Sequence, residues 1–382
     1  MKIEKVEVFL VGAAWRNFTL VKLTTDAGLV GWGEGTLGWK ESAVRELIVD
    51  FGRRYVVGQN PFDIEDLWFK LYQVEHNVGP VMLAAMAGLE MALWDIVGKA
   101  CGQPVYNLVG GKVRSKIKAY ANGWYGYKGE LGELAERAWR VVEKGYKALK
   151  FDPFGPGGRE ISREDLREAA KRVEAVRNAV GDKVDILLEF HGRFSPIMAL
   201  EAVRAMVPYA PAWCEEPVPA NNNEAMAQVV AASPIRIATG EHTYSRFGFL
   251  DLLRCKAAHV VQPDITYSGG FLEVKKIAAL AEAYYVSVAP HNCDGPLKTV
   301  AGMHLCANIP NFLILETFED YDVPWRHDLT PDAPRVVDGF YDVPTGPGWG
   351  VEVDEAVLQS HPEDPDAKMN MFSLGWEKMM CK

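Results

Sequence analysis

The chain has 382 residues, of which 48% are hydrophobic, so it can form one large barrel with additions or two globular domains. Its formal net charge of −10 argues against a nucleic-acid partner, because phosphate binding needs a basic surface. No apolar run approaches the roughly 18 residues that would cross a membrane, and residues 1–10 alternate polar and apolar as a strand does, unlike a secretory signal. The six cysteines form no C-x-x-C pair, which predicts free thiols in a cytoplasmic protein.

Strands precede helices in the first region of the chain. Strands are predicted at 3–10, 18–25 and 29–35, and helices at 40–57, 62–75 and 80–99. A loop at 12–17 separates the first two strands, and Thr25-Asp26-Ala27-Gly28 signals a hairpin between the other two. This order predicts an α+β domain, which we assign to residues 1–112.

Short apolar strands alternate with amphipathic helices in the second region. Eight strands are predicted, at 117–121, 147–151, 184–190, 212–216, 235–239, 259–262, 286–289 and 312–316. The clearest helix covers 162–180 and is followed by Gly181, a typical C-cap residue. The alternation predicts an α/β fold with a TIM-type barrel over residues 113–325. Residues 326–382 are rich in Pro, Asp and Gly and are predicted to form loops and short strands packed back towards the first domain.

Three of the predicted strands end in a glutamate, and these glutamates lie 26 residues apart: Glu189, Glu215 and Glu241. The carboxyl ends of parallel barrel strands open onto one face, so the three carboxylates are expected to converge there. Converging carboxylates repel unless a cation lies among them, and hard oxygen ligands favour Mg²⁺. Glu216 and His242, which follow two of these residues, are expected to support the site without binding the metal.

Two later strands end in Asp264 and His291. An aspartate beside a histidine orients the imidazole and stabilises its protonated form, which is the arrangement of a general base near neutral pH. The alternative is a hydrogen-bonded structural histidine. The position at a strand end favours the base.

Further polar strand ends complete the predicted site. Glu189 and His191 are two residues apart, so on an extended strand they share a face, and His191 is a candidate acid. Glu316, if protonated, could donate a hydrogen bond to a substrate oxygen, and Lys150 is expected to place a cation at the opposite side of the barrel mouth. Together these groups suit abstraction of a proton next to a carboxylate, stabilisation of an enediolate and expulsion of a β-hydroxyl.

The chain resembles the enolase superfamily, mandelate racemase subgroup, and most of all its sugar-acid dehydratases of the gluconate and galactonate type. The resemblance is carried by residues 87–95, the Leu108-Val109-Gly110-Gly111 join, the series of strand-end carboxylates, and residues 120–125 and 150–156. It implies an α+β capping domain over a modified (β/α)7β barrel, and a homo-oligomer, either a dimer or an octamer. It also implies Mg²⁺ on Glu189, Glu215 and Glu241, a His291–Asp264 base, His191 as acid and Glu316 in contact with the intermediate.

Two departures from the family pattern bear on the reaction. Glu189 stands where aspartate is more common, which keeps the charge and adds one methylene. Lys150-Phe151-Asp152 stands where Lys-x-Lys is common, so the second lysine base is absent. A racemase needs a base on each face of the carbanion, and we therefore favour dehydration of a sugar acid by one base and one acid.

Substrate specificity is expected from the capping domain and from the barrel mouth. The candidate substrate-binding residues are Trp15, Arg16, Asn17, His76, with its neighbour Asn77, Arg193 and Trp325. A racemase or epimerase of hydroxy acids stays open as an alternative, and so does a non-catalytic barrel that binds sugar acids. Gluconate, galactonate, an aldarate and a pentonate are all compatible with the sequence.

Overall fold

The computed structural model describes residues 1–76, 78–126, 130–373 and 376, so Asn77 and Cys381 lie outside the described residues. An antiparallel sheet in the order β1-β2-β3 opens the chain, formed by β1 (Ile3–Ala13), β2 (Arg16–Thr25) and β3 (Val30–Glu34). The helices that follow are α1 (Glu41–Phe51), α2 (Ile64–Val74), α3 (Pro80–Cys101) and α4 (Val105–Leu108), with a π-helical turn at Gly52–Val56. We call residues 1–112 the cap.

Helix α3 packs directly on the cap sheet through small residues. A Cβ atom placed on Gly33 would lie 2.2 Å from the carbonyl oxygen of Gly88, so glycine is required for this approach of helix and strand. Contrary to the sequence-based expectation, α3 is long and apolar enough to cross a membrane, judged by length and composition alone. Glu90 and Asp95 are the acidic residues in an otherwise apolar stretch. However, 89% of its most apolar window is buried inside the protein, which identifies it as the core helix of the cap.

The connection between β1 and β2 is tighter than the sequence predicts. The ladder continues to the pairs Gly12–Asn17 and Ala13–Arg16, so the predicted loop at 12–17 is a turn of only Ala14 and Trp15. Ala14 adopts a positive φ of 56°, which closes the turn. Because Arg16 and Asn17 belong to a strand, their side chains point to opposite faces of the sheet.

The second region forms the predicted barrel. Its eight parallel strands in the described chain are β4 (Lys116–Ala121), β5 (Ala148–Phe151), β6 (Asp185–Glu189), β7 (Trp213–Glu215), β8 (Ile237–Thr239), β9 (Val260–Val261), β10 (Ser287–Val288) and β11 (Leu315–Thr317). They pair in the order β10-β9-β8-β7-β6-β5-β4-β11. The barrel closes where the backbone N–H of Leu313 donates to Val288, at 2.8 Å, beside a parallel bridge between Val288 and Phe312. The α/β barrel with an α+β cap is confirmed.

Helices fill the crossovers between successive strands. In the described chain they are α5 (Leu131–Glu143), α6 (Arg163–Val180), α7 (Pro196–Met206), α8 (Asn223–Ala232), α9 (Ser245–Arg254), α10 (Ile265–Ser268), α11 (Phe271–Ala283) and α12 (Pro296–Asn308). A short helical turn, Val207–Tyr209, follows α7. Helix α6 ends before Gly181, as the sequence predicts, and the side chain of Ser162 caps its start. The chain thus runs through a (β/α)7β order with α10 and α11 sharing one crossover.

The C-terminal segment returns to the cap. It contains α13 (Arg326–Leu329), β12 (Phe340–Asp342), which pairs antiparallel with β4, and α14 (Glu355–Ser360). The N–H of Gly12 donates to the carbonyl of His361 at 3.1 Å, and the N–H of Asp364 donates to the Asn17 side chain at 2.8 Å. The indole of Trp349 donates to the carbonyl of Trp32 at 3.1 Å.

Two buried carboxylates of the cap bind helix N-termini of the barrel. Glu34 accepts hydrogen bonds from the backbone N–H groups of Gly295 and Lys298, at 2.6 and 2.9 Å, at the start of α12. Glu90 accepts them from Phe271 and Leu272, both at 3.0 Å, at the start of α11. The unpaired N–H groups of a helix start favour a carboxylate, so these contacts fix the cap over the carboxyl ends of the barrel strands.

Candidate active site

A cavity of about 440 Å³ lies between the cap and the carboxyl ends of the barrel strands. Its floor is charged and its walls are aromatic. The charged residues that line it include Lys150, Glu189, His191, Glu241, His291 and Glu316. The aromatic residues that line it include Trp15, Trp39, Tyr125, Tyr244, Tyr267, Phe318 and Trp376. Most of the strand-end groups predicted to converge therefore face a single space, whereas Glu215 and Asp264 are not among its lining residues.

Glu189, Glu215 and Glu241 form a cluster that could hold a metal ion. Glu189 and Glu215 are the last residues of β6 and β7, and Glu241 follows β8, so the parallel sheet brings them to the same edge. One carboxylate oxygen from each lies within 4.8 Å of the others. Burial raises the pKa of Glu189, and burial together with the charge of Glu189 holds the pKa of Glu215 well above its usual range. Oxygen donors under such mutual repulsion fit a hard divalent cation.

Lys150 lies among the carboxylates. Its Nζ is 2.5 Å from Glu215, 2.9 Å from Glu316 and 3.1 Å from Glu189. Burial opposes the charge of Lys150, but Glu215 and Glu316 outweigh it and hold its pKa well above the usual value. The expected place on the opposite side of the mouth is wrong, because β5 is the neighbour of β6 and points Lys150 at the same cluster.

His291 and Asp264 are in contact, as the sequence predicts. The Nδ1 atom of His291 lies 2.6 Å from Oδ2 of Asp264, and its Nε2 faces Glu241 at 3.6 Å. The other oxygen of Asp264 accepts the backbone N–H groups of Thr266 and Tyr267 at 2.8 and 3.0 Å. Fixed in this way, the ring presents Nε2 to the cavity.

Lys298 of α12 contacts the carboxylate of Asp264 and lies 2.5 Å from Asp294. Burial raises the pKa of Asp264, but Lys298 and His291 outweigh it and hold that pKa far below the usual range. The sequence gives no signal for Lys298, because it lies inside an apolar helix.

His191 also lines the cavity, but not for the reason expected from the sequence. Strand β6 ends at Glu189, and His191 has a φ of 49°, so the two residues do not share an extended strand face. Instead, the backbone N–H of His191 donates a hydrogen bond of 2.8 Å to the Glu189 side chain, which keeps the two residues close. The Nδ1 atom of His191 lies 2.7 Å from Asp152, and its ring meets Trp376 edge-on at 5.4 Å.

Glu316 ends the barrel series at β11. It accepts hydrogen bonds from the Asn122 side chain at 2.7 Å and from the N–H of Asn292 at 2.8 Å. Burial raises the pKa of Glu316, but Lys150 and His291 outweigh it and lower the pKa to about 2. Lys150 and His291 therefore favour the ionised form of Glu316 in this arrangement, and the hydrogen bond that a protonated Glu316 could donate to a substrate oxygen stays a prediction.

Glu216 and His242 contact each other beside the glutamate cluster. The Nδ1 atom of His242 lies 2.7 Å from Glu216 and 3.5 Å from Glu241. The charge of Glu216 raises the pKa of His242 to about 10. Ligand atoms of Glu216, Glu241 and His242 also lie close enough together to hold a metal ion, so the geometry permits either a supporting or a binding role for Glu216 and His242.

Of the three hairpin candidates for substrate binding, Trp15 lines the cavity. Arg16 is fully buried, with its guanidinium 2.9 Å from Asp322, and Asn17 donates to the carbonyl of Asp364 at 3.0 Å. Neither is among the residues that line the cavity, although the Arg16 guanidinium lies 4.1 Å from the ring centre of Trp15. Because successive residues of a strand point to opposite faces, Arg16 contacts Asp322 of the barrel region and Asn17 contacts Asp364 of the C-terminal segment.

The other three candidates also lie away from the cavity lining. His76 is exposed, with a φ of 51°. Trp325 stacks on His361 with ring centres 3.9 Å apart. Arg193 is buried and contacts Asp152, and its Nη1 donates to the carbonyl of Gly155 at 2.9 Å. Each of these side chains is committed elsewhere or faces solvent, so the prediction that they line the substrate site is wrong for this structure.

The sequence does not reveal several residues in and beside the cavity. Asp152, which contacts His191, is indicated there only as the loss of a lysine, although it directly follows β5 as other polar residues follow their strands. Asn122 stands directly after β4 and carries the same signal. Met369, Met371, Phe372 and Trp376 of the C-terminal segment also line the cavity, and nothing in their pattern indicates it.

Comparisons with known proteins identify the family. Residues 8–110 match the N-terminal domain of mandelate racemase/muconate lactonizing enzymes, and residues 133–357 match the enolase C-terminal domain-like family. The chain belongs to the mandelate racemase/muconate lactonizing enzyme family of the enolase superfamily.

Two curated relatives and one solved structure illustrate the similarity. The chain is 38% identical to a D-gluconate dehydratase of Thermoproteus tenax over 356 residues, 92% of this chain and 71% of that protein. It is 35% identical to a D-galactonate dehydratase of Xanthomonas axonopodis pv. citri over 380 residues, 96% of this chain and 95% of that protein. A mandelate racemase/muconate lactonizing enzyme-like protein from Roseovarius sp. TM1035 has a TM-score of 0.90 at 38% identity, covering 95% of this chain and 96% of the other.

Proposed function

We propose that this protein is a hydro-lyase that dehydrates an aldonic acid, such as gluconate or galactonate, to the 2-keto-3-deoxy acid. The observation that carries the proposal is the pair of histidines, His291 and His191, that line one cavity beside a carboxylate cluster. Elimination of water needs one group to accept a proton and another to donate one. The two relatives described above carry the names of sugar-acid dehydratases, which supports the same chemistry.

Glu189, Glu215 and Glu241 are proposed to hold Mg²⁺. When bound, the ion would supply positive charge opposite the substrate carboxylate and so favour the doubly charged enediolate. Lys150, 2.5 Å from Glu215, adds a fixed ammonium on the same side of the cavity. Its pKa, held high by Glu215 and Glu316, keeps it a cation that can face the substrate carboxylate.

His291 is proposed to remove the proton from C2 of the substrate. Its Nε2 faces the cavity, while Nδ1 stays on Asp264, 2.6 Å away, so the imidazolium formed is stabilised by a carboxylate that is ionised throughout. His191 then gives a proton to the C3 hydroxyl as the C3–O bond breaks. Water leaves, the electrons of the enediolate form the C2–C3 double bond of an enol, and the enol tautomerises to the 2-keto-3-deoxy acid.

The cavity wall favours a substrate with one carboxylate. Away from Lys150, the described wall carries Lys40, which is exposed, and His242, whose positive charge is paired with Glu216 at 2.7 Å. Aromatic side chains such as Trp15 and Phe318 make up much of the remainder. Aromatic faces suit the C–H faces of a polyol chain better than a second carboxylate. We therefore favour aldonates over aldarates.

We also propose a cytoplasmic location for the enzyme. The five cysteines in the described chain, all except Cys381, are free thiols, which suits a cytoplasmic enzyme. The assembly into dimers or octamers and the boundaries at residues 112 and 325 stay predictions.

The proposal is tested by incubating the protein and Mg²⁺ with a panel of aldonic and aldaric acids and scoring 2-keto-3-deoxy product with semicarbazide. We expect product from one or a few aldonates and none from aldarates. No product, but deuterium from solvent at C2 of recovered acid, would replace the dehydratase with an epimerase. Binding of acids with neither reaction would leave a non-catalytic binding barrel.

A further inference from the structure

We propose that Asp152 is a positioning residue for His191, so that the site holds two histidine–aspartate pairs, one for the base and one for the acid. The inference rests on the proposed dehydration and assigns a function to the aspartate that replaces the second lysine of the Lys-x-Lys pattern. Lys150 and Asp152 are two residues apart and both are almost fully buried, yet they serve different partners. Lys150 contacts the glutamate cluster, and Asp152 contacts His191.

The contacts of Asp152 fix both of its oxygens. Oδ2 lies 2.7 Å from Nδ1 of His191 and is also in contact with the guanidinium of Arg193. Oδ1 accepts the backbone N–H of Phe154 at 2.8 Å. The carboxylate therefore cannot rotate without losing several hydrogen bonds, and its position determines which nitrogen of His191 is tied down.

Arg193 holds this arrangement from beside His191, because its Nη2 meets the same oxygen of Asp152 and lies 3.5 Å from Nδ1 of His191. Its Nε donates to the carbonyl of Phe190 at 3.0 Å and its Nη1 donates to the carbonyl of Gly155 at 2.9 Å, so the guanidinium is fixed by backbone groups before it meets Asp152. A buried carboxylate needs a compensating charge, and Arg193 supplies it. Arg193 thus holds Asp152 and, through it, the orientation of His191.

The consequence for His191 is a defined orientation. With Nδ1 on Asp152, the opposite ring nitrogen, Nε2, is left for the cavity that His191 lines. His191 gives the proton on Nε2 to the departing C3 hydroxyl. The proton on Nδ1 stays on that nitrogen, hydrogen-bonded to Asp152. Without Asp152 the ring could turn or adopt the other tautomer, and the proton would no longer point at the leaving group.

The proposed base has the same arrangement of histidine, aspartate and buried cation, which is an independent reason to assign a positioning role to Asp152. Asp264 contacts Nδ1 of His291 and the buried ammonium of Lys298 with one oxygen, and takes backbone N–H groups with the other. Asp152 does the same with His191 and with a guanidinium. A plain structural ion pair would not require a histidine nitrogen as the third member.

The test is Asp152→Asn, assayed with the aldonate that the screen identifies. Dehydration should fall by about 10²- to 10⁴-fold, the range that a positioned acid contributes and that a wrong histidine tautomer costs. In D₂O the variant should still return substrate labelled at C2, because His291 and Asp264 are untouched. A 3-deoxy-3-fluoro analogue should release fluoride at nearly the wild-type rate, since this leaving group departs without a proton.

Asp185→Asn is the matched control. Asp185 begins β6 at the opposite end of the barrel and pairs with Lys118 at 2.9 Å, so the same chemical change there should leave all three rates unchanged. If Asp152→Asn does not fold, the double variant Asp152→Asn, Arg193→Gln removes both members of the buried pair and should show the same pattern.

The outcomes separate the two proposals. The positioning role would be overturned if Asp152→Asn lost C2 exchange as well as dehydration. It would also be overturned if the variant released fluoride from the fluoro analogue as slowly as it dehydrates the aldonate. A wild-type protein that forms no keto product from any acid refutes the dehydratase itself. In that case crystal structures of the wild type and Asp152→Asn decide the positioning claim, because an unchanged orientation of His191 in the variant would overturn it and a turned ring would support it.

Discussion

The two histidine–aspartate pairs of the cavity share a plan and differ in how firmly they are held. The Oδ1 atom of Asp264 accepts three hydrogen bonds, from the N–H and hydroxyl of Thr266 and the N–H of Tyr267, whereas Oδ1 of Asp152 accepts one, from Phe154. Lys298, behind the base, is shared with Asp294.

The exposure of the two rings differs in the same direction. The His291 side chain is 7% exposed and the His191 side chain 17%. His191 follows the end of a strand in a left-handed conformation and meets Trp376 of the C-terminal segment. A base that takes a proton from carbon benefits from a fixed position, while an acid must follow a leaving group that moves. The firmer pair is therefore the proposed base.

The largest effect is expected from His291→Asn. Because the described site offers no second base on the other face, both dehydration and C2 exchange should fall by about 10⁴-fold, the upper end of what a general base contributes. Metal binding should survive, measured by calorimetric titration with Mg²⁺. Retained exchange at C2 would show that His291 and Asp264 are not the base, and the firmer of the two histidine–aspartate pairs would then have no assigned role.

His191→Asn should break the other pair and give a different signature. Dehydration is expected to fall by roughly 10²- to 10⁴-fold, because protonation of the leaving hydroxyl is lost. Exchange at C2 should persist, measured by mass spectrometry of substrate recovered from D₂O. Equal loss of both reactions in this variant would mean that the two histidines do not divide the acid and base work.

The metal cluster lies between the two pairs, and Glu215→Gln tests it. The substitution removes one negative charge and the 2.5 Å partner of Lys150, so Mg²⁺ affinity should fall by roughly tenfold or more in a calorimetric titration. Glu216→Gln is the matched control at the next residue, whose carboxylate faces His242. A larger loss of affinity in Glu216→Gln would move the ion to the neighbouring cluster of Glu216, Glu241 and His242.

The sequence predicts the strand ends of the site better than it predicts their partners. Glu189, Glu215 and Glu241 can be placed because βα units repeat at a regular spacing and parallel strands open onto one face. Lys298 and Arg193 cannot, because a cation behind a carboxylate depends on how a helix or loop packs in three dimensions and leaves no periodic trace.

The hairpin of the cap shows the same limit at one position. The composition at 14–17 indicates a loop over the barrel mouth, and Trp15 does line the cavity. Whether Arg16 and Asn17 also line the cavity depends on the register of the β1–β2 ladder, because a shift of one residue exchanges the two faces of the strand. Three neighbouring residues therefore share a sequence context and have three different environments.

The cap supports the two pairs unequally, and pH should reveal it. Glu34 and Glu90 bind the starts of α12, which carries Lys298, and of α11, while Asp152 and Arg193 receive no carboxylate from the cap among the described contacts. Burial raises the pKa of Glu90 from 4.5 to about 7. Between these values the folded protein binds more protons than the unfolded chain, so stability is greatest below about pH 4.5 for this group and falls as the pH rises towards 7.

The expected size of this pH-dependent contribution is roughly 3 kcal/mol between the two limits, from 1.36 kcal/mol per pKa unit. Glu90→Gln should remove it, so that unfolding free energies from urea titrations at about pH 5 and pH 8 differ less in the variant than in the wild type. Glu136→Gln, at an exposed ion pair with Arg140 on α5, is the control and should leave the difference unchanged. An identical pH dependence in Glu90→Gln would show that another buried acid, such as Glu34, titrates instead, and would tie the pH response to the helix that carries Lys298.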